Sequence, residues 1–283
     1  MAVVNRIRHP QGLPGFKTWP LIPSGYDKEA HLLPALISLS DARSAASARQ
    51  SLAKQISNTA PETRSYVEAE PPVLMLMSSD ASLEQVQAHL ASRLIARLPG
   101  LGKALLRWYD PEVFVHLLYL LRHEQLASLF GPVKRIAFHW RGSWLASSAP
   151  TTSKSPSWMF DASDTVAFND VALVNAVAEI RIAQDLSVIR SLSQQARAAI
   201  HRARGLYGLT ATEDLVAFAT QSIVVDPSFD QHPRLQSLMR NTPTLSDGTA
   251  EEAQTYADAT ALIPNSAWAQ IKEELNATRS SPK

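Results

Sequence analysis

Cysteine is absent from all 283 residues of the chain. This absence excludes structural disulfides, thiolate nucleophiles and zinc sites with cysteine ligands, and it fits a reducing compartment. The N-terminus, MAVVNRIRHPQGLPGF, lacks an apolar core of signal-peptide length, and the apolar runs VLMLM and HLLYLL are far too short to span a bilayer. We therefore expect a soluble cytoplasmic protein that does not enter a membrane.

Glycine is also scarce, with 10 residues, which leaves few positions for the tight backbone loops that hold phosphates and cofactors. The sequence has no Gly-x-Ser-x-Gly nucleophile turn, no phosphate loop ending in Lys-Ser/Thr, and no Gly-x-Gly-x-x-Gly. His116, His123 and Glu124 lack the i,i+4 spacing of a helical zinc motif. We expect no cofactor, no metal and no enzymatic activity.

An excess of charge of either sign is missing as well. Lys and Arg number 27 against 26 Asp and Glu, which gives a net charge of +1. The basic residues are scattered, and no run of them is typical of a phosphate-tracking stripe. We expect neither a nucleic-acid partner nor a membrane-surface partner.

The apolar patterns predict three strands separated by helices. Residues 72–77, 103–109 and 133–140 read as strands, and 82–98 reads as a helix that begins with a capping box of Ser82 and Gln85. Two further helices follow Asp110 and His123. This order predicts an α/β unit with a small, largely parallel or mixed sheet.

Composition then divides the chain. Residues 1–145 are predicted to form the α/β lobe, although prolines break the first sixty residues into short extended or turn segments. Residues 146–160 are rich in Ser, Thr and Pro and are predicted to be a hinge. Residues 161–283 show helical periodicity and end in a polar tail, so we expect a mainly α-helical C-terminal lobe.

The segment LLRWYDPEVF, residues 105–114, contains an arginine, two aromatic residues, an aspartate and a proline in succession. Asp110 is a good N-cap and Pro111 is well placed at the first helical position, so helix initiation accounts for both residues. An alternative is an acid/base site in which Asp110 works with Tyr109 and a downstream histidine. In that alternative the protein is an enzyme acting on a small molecule at the sheet edge.

Aromatic residues cluster around the second and third predicted strands and the hinge. Exposed Trp, Tyr and Arg are common anchors of protein–protein interfaces, whereas the same rings inside a fold are core. The candidate partner-binding residues are Arg107, Trp108, Tyr109, Asp110, His139, Trp140 and Trp144.

Two motifs at a fixed separation carry a family resemblance. The run Arg107–Pro111, RWYDP, is followed by Phe130, Gly131 and Pro132. With the helix that contains His89, these motifs make residues 79–140 resemble the Tap/Tec adaptor and chaperone family of bacterial type VI secretion systems. The sequence departs from that pattern at Ala91 and Glu112, where the family usually has arginine.

The resemblance implies a protein that acts by binding. Such adaptors hold a toxic effector in the cytoplasm and load it onto the VgrG spike before secretion. An effector and a VgrG spike protein are therefore the expected partners. An immunity-type protein that neutralises a toxin by binding its toxic domain is a further alternative.

Overall fold

The structure is a computed structural model that describes residues 1–4, 6, 16–39, 50, 53, 73–151, 155–179, 185–241 and 255–280. The chain divides into two compact units, Met1–Phe168 and Asn169–Lys283. Within the described ranges, no helix is long and apolar enough to cross a membrane.

The first unit is built on an antiparallel sheet. Its six strands among the described residues are β1 (Ala2–Val4), β2 (Thr18–Pro20), β3 (Ala35–Ile37), β4 (Val73–Ser79), β7 (Val133–Trp140) and β8 (Ser143–Ser148). They lie in the order β2-β3-β1-β4-β7-β8. A separate hairpin consists of β5 (Ile95–Leu98) and β6 (Gly102–Leu105).

The prediction of a largely parallel or mixed sheet is wrong, because every pairing in this sheet is antiparallel. A parallel assignment presumes one helical crossover between neighbouring strands. The chain between β4 and β7 instead holds a helix, a hairpin and two more helices. Local sequence therefore does not determine whether β7 runs parallel or antiparallel to β4. The other neighbour of β4 is β1, which is too short to show a period.

Two helices of the first unit begin at the caps that the sequence predicts, Ser82 and Asp110. The helices of this unit whose bounds lie within the described residues are α1 (Leu83–Ser92), α2 (Pro111–Leu120), α3 (His123–Phe130) and α4 (Ala162–Asn169), the last of which reaches the unit boundary. The capping box of α1 is confirmed, because the Gln85 amide donates to Ser82 Oγ at 3.3 Å and the Ser82 amide donates to Gln85 Oε1 at 3.0 Å.

Helix α1 is shorter than predicted. The periodic pattern suggested a helix to Leu98, but the helix ends at Ser92 and the chain forms β5. Ala96 and Leu98 are buried alternately with the more exposed Ile95 and Arg97, which is the two-residue period of a strand. Likewise, the predicted strand 103–109 ends at Leu105.

Helices α2 and α3 pack on the six-stranded sheet through aromatic rings. Phe114 of α2 lies 5.0 Å from Phe138 of β7 and 6.3 Å from Phe130 of α3, centroid to centroid. All three rings are fully buried. Because strand side chains alternate, Ile136 and Trp140 share this helix-covered face with Phe138, and His139 points to the opposite face.

The segment predicted as a hinge, 146–160, is attached to the first unit where it is described. Strand β8 extends to Ser148. The Ser157 amide donates to the Glu124 carbonyl at 3.0 Å, and Trp158 Nε1 donates to the Ile95 carbonyl at 3.0 Å. The boundary between the two units accordingly lies at Phe168, beyond the predicted segment.

The second unit is helical in its described ranges, which confirms the predicted mainly α-helical C-terminal part. Its helices are α5 (Val171–Ala178), α6 (Leu186–Tyr207), α7 (Thr212–Val224), α8 (Pro233–Asn241), α9 (Tyr256–Ala261) and α10 (Asn265–Ser280). Phe218 centres the core, 4.9 Å from Phe229 and 5.8 Å from Tyr256. Of the predicted polar tail, 242–254 lies outside the described residues, and α9 and α10 follow it.

Candidate partner-binding site

The Asp110–Pro111 step is a helix start, as its sequence predicts. Asp110 Oδ1 accepts a hydrogen bond from the Glu112 amide at 2.9 Å, and Pro111 occupies the first position of α2. The second carboxylate oxygen, Oδ2, accepts from Arg107 Nη2 at 2.6 Å. Both oxygens of this carboxylate are therefore engaged, while the Arg107 side chain remains 59% exposed.

Replacing Asp110 with alanine is expected to lower the free energy of unfolding by about 1 kcal/mol, because a cap of the first helical turn is lost. Asp110→Asn retains an oxygen acceptor and is expected to lose less. Urea unfolding followed by tryptophan fluorescence measures both variants. Equal losses in the two variants would show that the ion pair with Arg107, rather than the cap, stabilises the start of α2.

The two aromatic residues between Arg107 and Asp110 are buried. Trp108 is fully buried, Tyr109 is nearly so, and their rings meet edge to face with centroids 6.0 Å apart. Burial raises the pKa of the Tyr109 hydroxyl above its ordinary value. Both residues lie beyond the end of β6, so they are not part of the predicted strand 103–109. Their rings pack the first unit.

Arg141 is a buried arginine beside the start of α2, and it was not among the residues predicted from the sequence. Arg141 and Gly142 form the two-residue turn between β7 and β8, with φ values of +43° and +87°. Arg141 Nη2 lies 3.3 Å from Glu112 Oε2, and its guanidinium carbon lies 4.6 Å from the centroid of the Trp140 ring. The signal in the sequence is Arg-Gly between two alternating runs, where Asn-Gly is the commoner pair.

Trp140 also contacts the single histidine of α2. His116 is fully buried, its Nδ1 lies 2.5 Å from the Tyr119 hydroxyl oxygen, and its ring centroid lies 6.2 Å from that of Trp140. The acid/base alternative places a histidine beside Asp110. His116 contacts Tyr119 of the same helix and Trp140 of β7, and whether it also works with Asp110 stays untested.

His139 and Trp144 lie on the opposite face of the sheet. They are directly paired across β7 and β8, and their ring centroids are 5.7 Å apart. His139 Nε2 and Trp144 Nε1 are both buried and have no hydrogen-bond partner in the described part of the chain. Trp144 packs beside the buried apolar cluster of Ala2, Val4, Ala35, Ile37 and Val73.

The structure therefore separates the predicted site residues into two groups. Arg107, Asp110 and Trp140 lie in one corner, which Glu112 and Arg141 link, and Trp108 and Tyr109 pack behind Arg107. His139 and Trp144 form a second group across the sheet. Their role in binding a partner stays a prediction.

The second motif, Phe130-Gly131-Pro132, contacts the helix that carries His89. Phe130 is fully buried, Gly131 follows the end of α3 with φ +51° and ψ −115°, and the Pro132 carbonyl accepts from Ser79 Oγ at 2.7 Å. His89 Nε2 donates to the Leu129 carbonyl at 3.1 Å. A Cβ atom on Gly131 would lie 2.2 Å from the His89 ring, so the imidazole occupies the space that glycine leaves open.

Two histidines make the stability of the first unit depend on pH. Burial lowers the pKa of His89 and of His139 from the ordinary value of 6.5. Between the folded and the unfolded pKa the unfolded chain binds more protons, so the free energy of unfolding should fall as the pH drops below 6.5. His139→Phe should reduce the loss measured by urea unfolding at pH 7 and 5.5. An identical loss in this variant would exclude His139 as a contributor.

The described residues include no group of three or more His, Cys, Asp or Glu side chains arranged to hold a metal ion. Residues 19–128 match a family model described as a domain of unknown function, DUF4123. This stretch contains Arg107–Pro111 and ends shortly before Phe130, so Arg141 and the His139–Trp144 pair lie outside it. No curated protein and no solved structure matches the chain.

Proposed function

We propose that this protein is an adaptor of a type VI secretion system, which binds a specific toxic effector in the cytoplasm and loads it onto the VgrG spike. The match of residues 19–128 to the DUF4123 model supports the proposal, because this stretch contains the RWYDP motif. That model's description assigns no function. The adaptor role rests on the RWYDP and Phe-Gly-Pro motifs, through which the chain resembles the Tap/Tec family.

The geometry around these motifs supports a role in binding rather than catalysis. Both oxygens of the Asp110 carboxylate accept hydrogen bonds, one from the Glu112 amide and one from Arg107, so helix capping and the ion pair account for this residue. His116 is engaged with Tyr119. In the proposed adaptor these residues shape a rigid corner, and Arg107 is its exposed contact.

The His139–Trp144 pair is the second proposed contact. Both side chains are half-buried, Trp144 borders an apolar cluster, and Trp is a frequent anchor in protein interfaces. His139→Ala/Trp144→Ala should weaken capture of the effector or the spike. Trp19→Ala/His31→Ala is a matched control, since it removes the same two residue types from the first unit and Trp19 lies in β2, at the opposite edge of the sheet from β8.

Secretion and co-purification test the proposal. Deleting the gene should stop secretion of one effector while the tube of the secretion system is still exported. The tagged protein should co-purify with that effector and with a VgrG-type spike. Secretion of every effector at the wild-type level in the deletion strain would overturn the adaptor role.

A neutralisation assay distinguishes the immunity-type alternative. An adaptor is not expected to protect cells that express the isolated toxic domain, because it binds its cargo for delivery. An immunity-type protein should protect them. Protection by this chain, without any effect of its deletion on secretion, would favour the alternative.

A further inference from the structure

The hairpin β5–β6 presents a face of mixed apolar and basic character. Ile95 pairs directly with Leu105, and Arg97 pairs directly with Lys103. Because side chains alternate along a strand, these four residues share one face, and Ala96 and Leu98 lie on the other, buried face. We refer to Ile95, Arg97, Lys103 and Leu105 as the hairpin face.

This face is open to solvent. Leu105 is 45% exposed and Leu101, in the adjoining turn, is 58% exposed. Arg97 and Lys103 are exposed, and Ile95 is half-buried. Two exposed leucines thus lie at the two ends of β6, with the basic pair between them, and apolar surface rimmed by charged residues is typical of a surface that a partner covers.

The charges of the hairpin face have no counter-charge among the described residues. Arg97 and Lys103 form no ion pair with the described residues, whereas the neighbouring Arg107 is neutralised by Asp110. Like charges directly opposite each other on two strands destabilise the pair. The hairpin therefore carries an arrangement that lowers its own stability and that an acidic ligand would relieve.

We propose that the hairpin face binds an acidic, amphipathic segment of the effector. Apolar side chains of that segment cover Ile95 and Leu105, and its carboxylates pair with Arg97 and Lys103. This inference rests on the proposed adaptor function and specifies how the cargo is recognised. A like-charged pair that is relieved by one ligand serves specificity, since a neutral or basic segment gains nothing there.

The spacing of the face defines the sequence of that segment. Residues two apart on a strand are about 6.6 Å apart along it, which separates the apolar pair from the basic pair. A helix advances about 6 Å over four residues. The matching effector segment therefore has an apolar residue followed by Asp or Glu at i+4 in a helix, or at i+2 in a strand.

Charge reversal at Arg97 separates binding from folding. Arg97→Glu places opposite charges across the hairpin, so it should raise the melting temperature while it weakens effector binding by about tenfold or more. Arg97→Glu/Lys103→Glu should weaken binding further. Arg135→Glu is the matched control, because Arg135 is an exposed strand arginine elsewhere in the first unit, and its affinity should equal that of the wild type.

The measurement is the dissociation constant of the purified full-length protein for the co-purified effector, at two salt concentrations. Carbodiimide crosslinking adds a direct readout, since it joins the Lys103 amine only to a carboxylate in contact with it. We expect a Lys103 crosslink to an Asp or Glu beside an apolar residue of the effector.

Each outcome decides a different question. Unchanged effector affinity in Arg97→Glu/Lys103→Glu would overturn the hairpin-face proposal and leave the adaptor function standing. Weakened binding of the spike alone, or release of a nucleic acid by nuclease, would overturn the effector as its occupant. Failure of the wild-type protein to bind any effector would overturn the proposed function itself.

Discussion

Replacing Gly131 with alanine is expected to lower the free energy of unfolding of the first unit by about 3 kcal/mol. The backbone at Gly131 has φ +51° and ψ −115°, a region that residues with a Cβ atom rarely adopt. The new methyl group would also lie 2.2 Å from Cε1 and Nε2 of His89. If the imidazole moves aside, its hydrogen bond to the Leu129 carbonyl is lost.

Substitutions at two other glycines help to separate the backbone strain at Gly131 from the clash with His89. Gly100 has φ +80° but open space around it, so Gly100→Ala should show the backbone strain without the clash. Gly205 lies within α6 with open space around it, so Gly205→Ala should stabilise the second unit by about 0.5–1 kcal/mol. The double variant Gly131→Ala/His89→Ala should show a coupling energy, because removing the ring removes the clash but leaves the strain.

Tryptophan fluorescence makes this measurement specific to the first unit. Five of the six tryptophans lie in Met1–Phe168, and only Trp268 lies in the second unit. The urea midpoint of the fluorescence change therefore reports mainly the unfolding of the first unit. A midpoint for Gly131→Ala equal to that of Gly100→Ala would contradict the contact with His89.

Replacing Asp164 with alanine is expected to lower the free energy of unfolding of the same unit by about 3 kcal/mol. The buried carboxylate accepts from Gln125 Nε2 at 3.0 Å and from the Asp161 amide at 2.9 Å. Arg122 Nη1 lies 3.3 Å from both of its oxygens. Gln125 is fully buried, so the loss of Asp164 leaves part of its hydrogen-bonding capacity unsatisfied.

Asp164→Ala should also loosen the attachment of residues 155–161 to α3. The side chains of Arg122 and Gln125 also donate to the Met159 carbonyl, at 3.2 and 2.7 Å, and so attach 155–161 to α3. Hydrogen exchange should therefore accelerate at Ser157, whose amide is bonded to the Glu124 carbonyl. Asp80→Ala is the control, because it removes only an exposed carboxylate paired with Lys134, and no resolvable change is expected. Unchanged exchange at Ser157 would show that other contacts hold this segment.

The sequence alone determined the features that depend on neighbouring residues. The capping box of Ser82 and Gln85, the helix start at Asp110 and Pro111, and the strand 133–140 all follow from local hydrogen bonding and side-chain period. The helical character of the second unit is predictable for the same reason. The motifs around Asp110 and Gly131, on which the family resemblance rests, are likewise read directly from the chain.

The tertiary structure decided which elements meet and in which direction. Strand order and the antiparallel pairing of β4 with β7 depend on contacts between distant residues, which no local pattern encodes. The Ser- and Pro-rich composition of 146–160 suggested a hinge, because composition does not show that Arg122 and Gln125 bind the Met159 carbonyl. Arg141 gains its buried position only when the β7–β8 turn reaches Glu112. The hairpin face, too, exists because pairing sets Arg97 opposite Lys103, a juxtaposition created by register rather than by spacing along the chain.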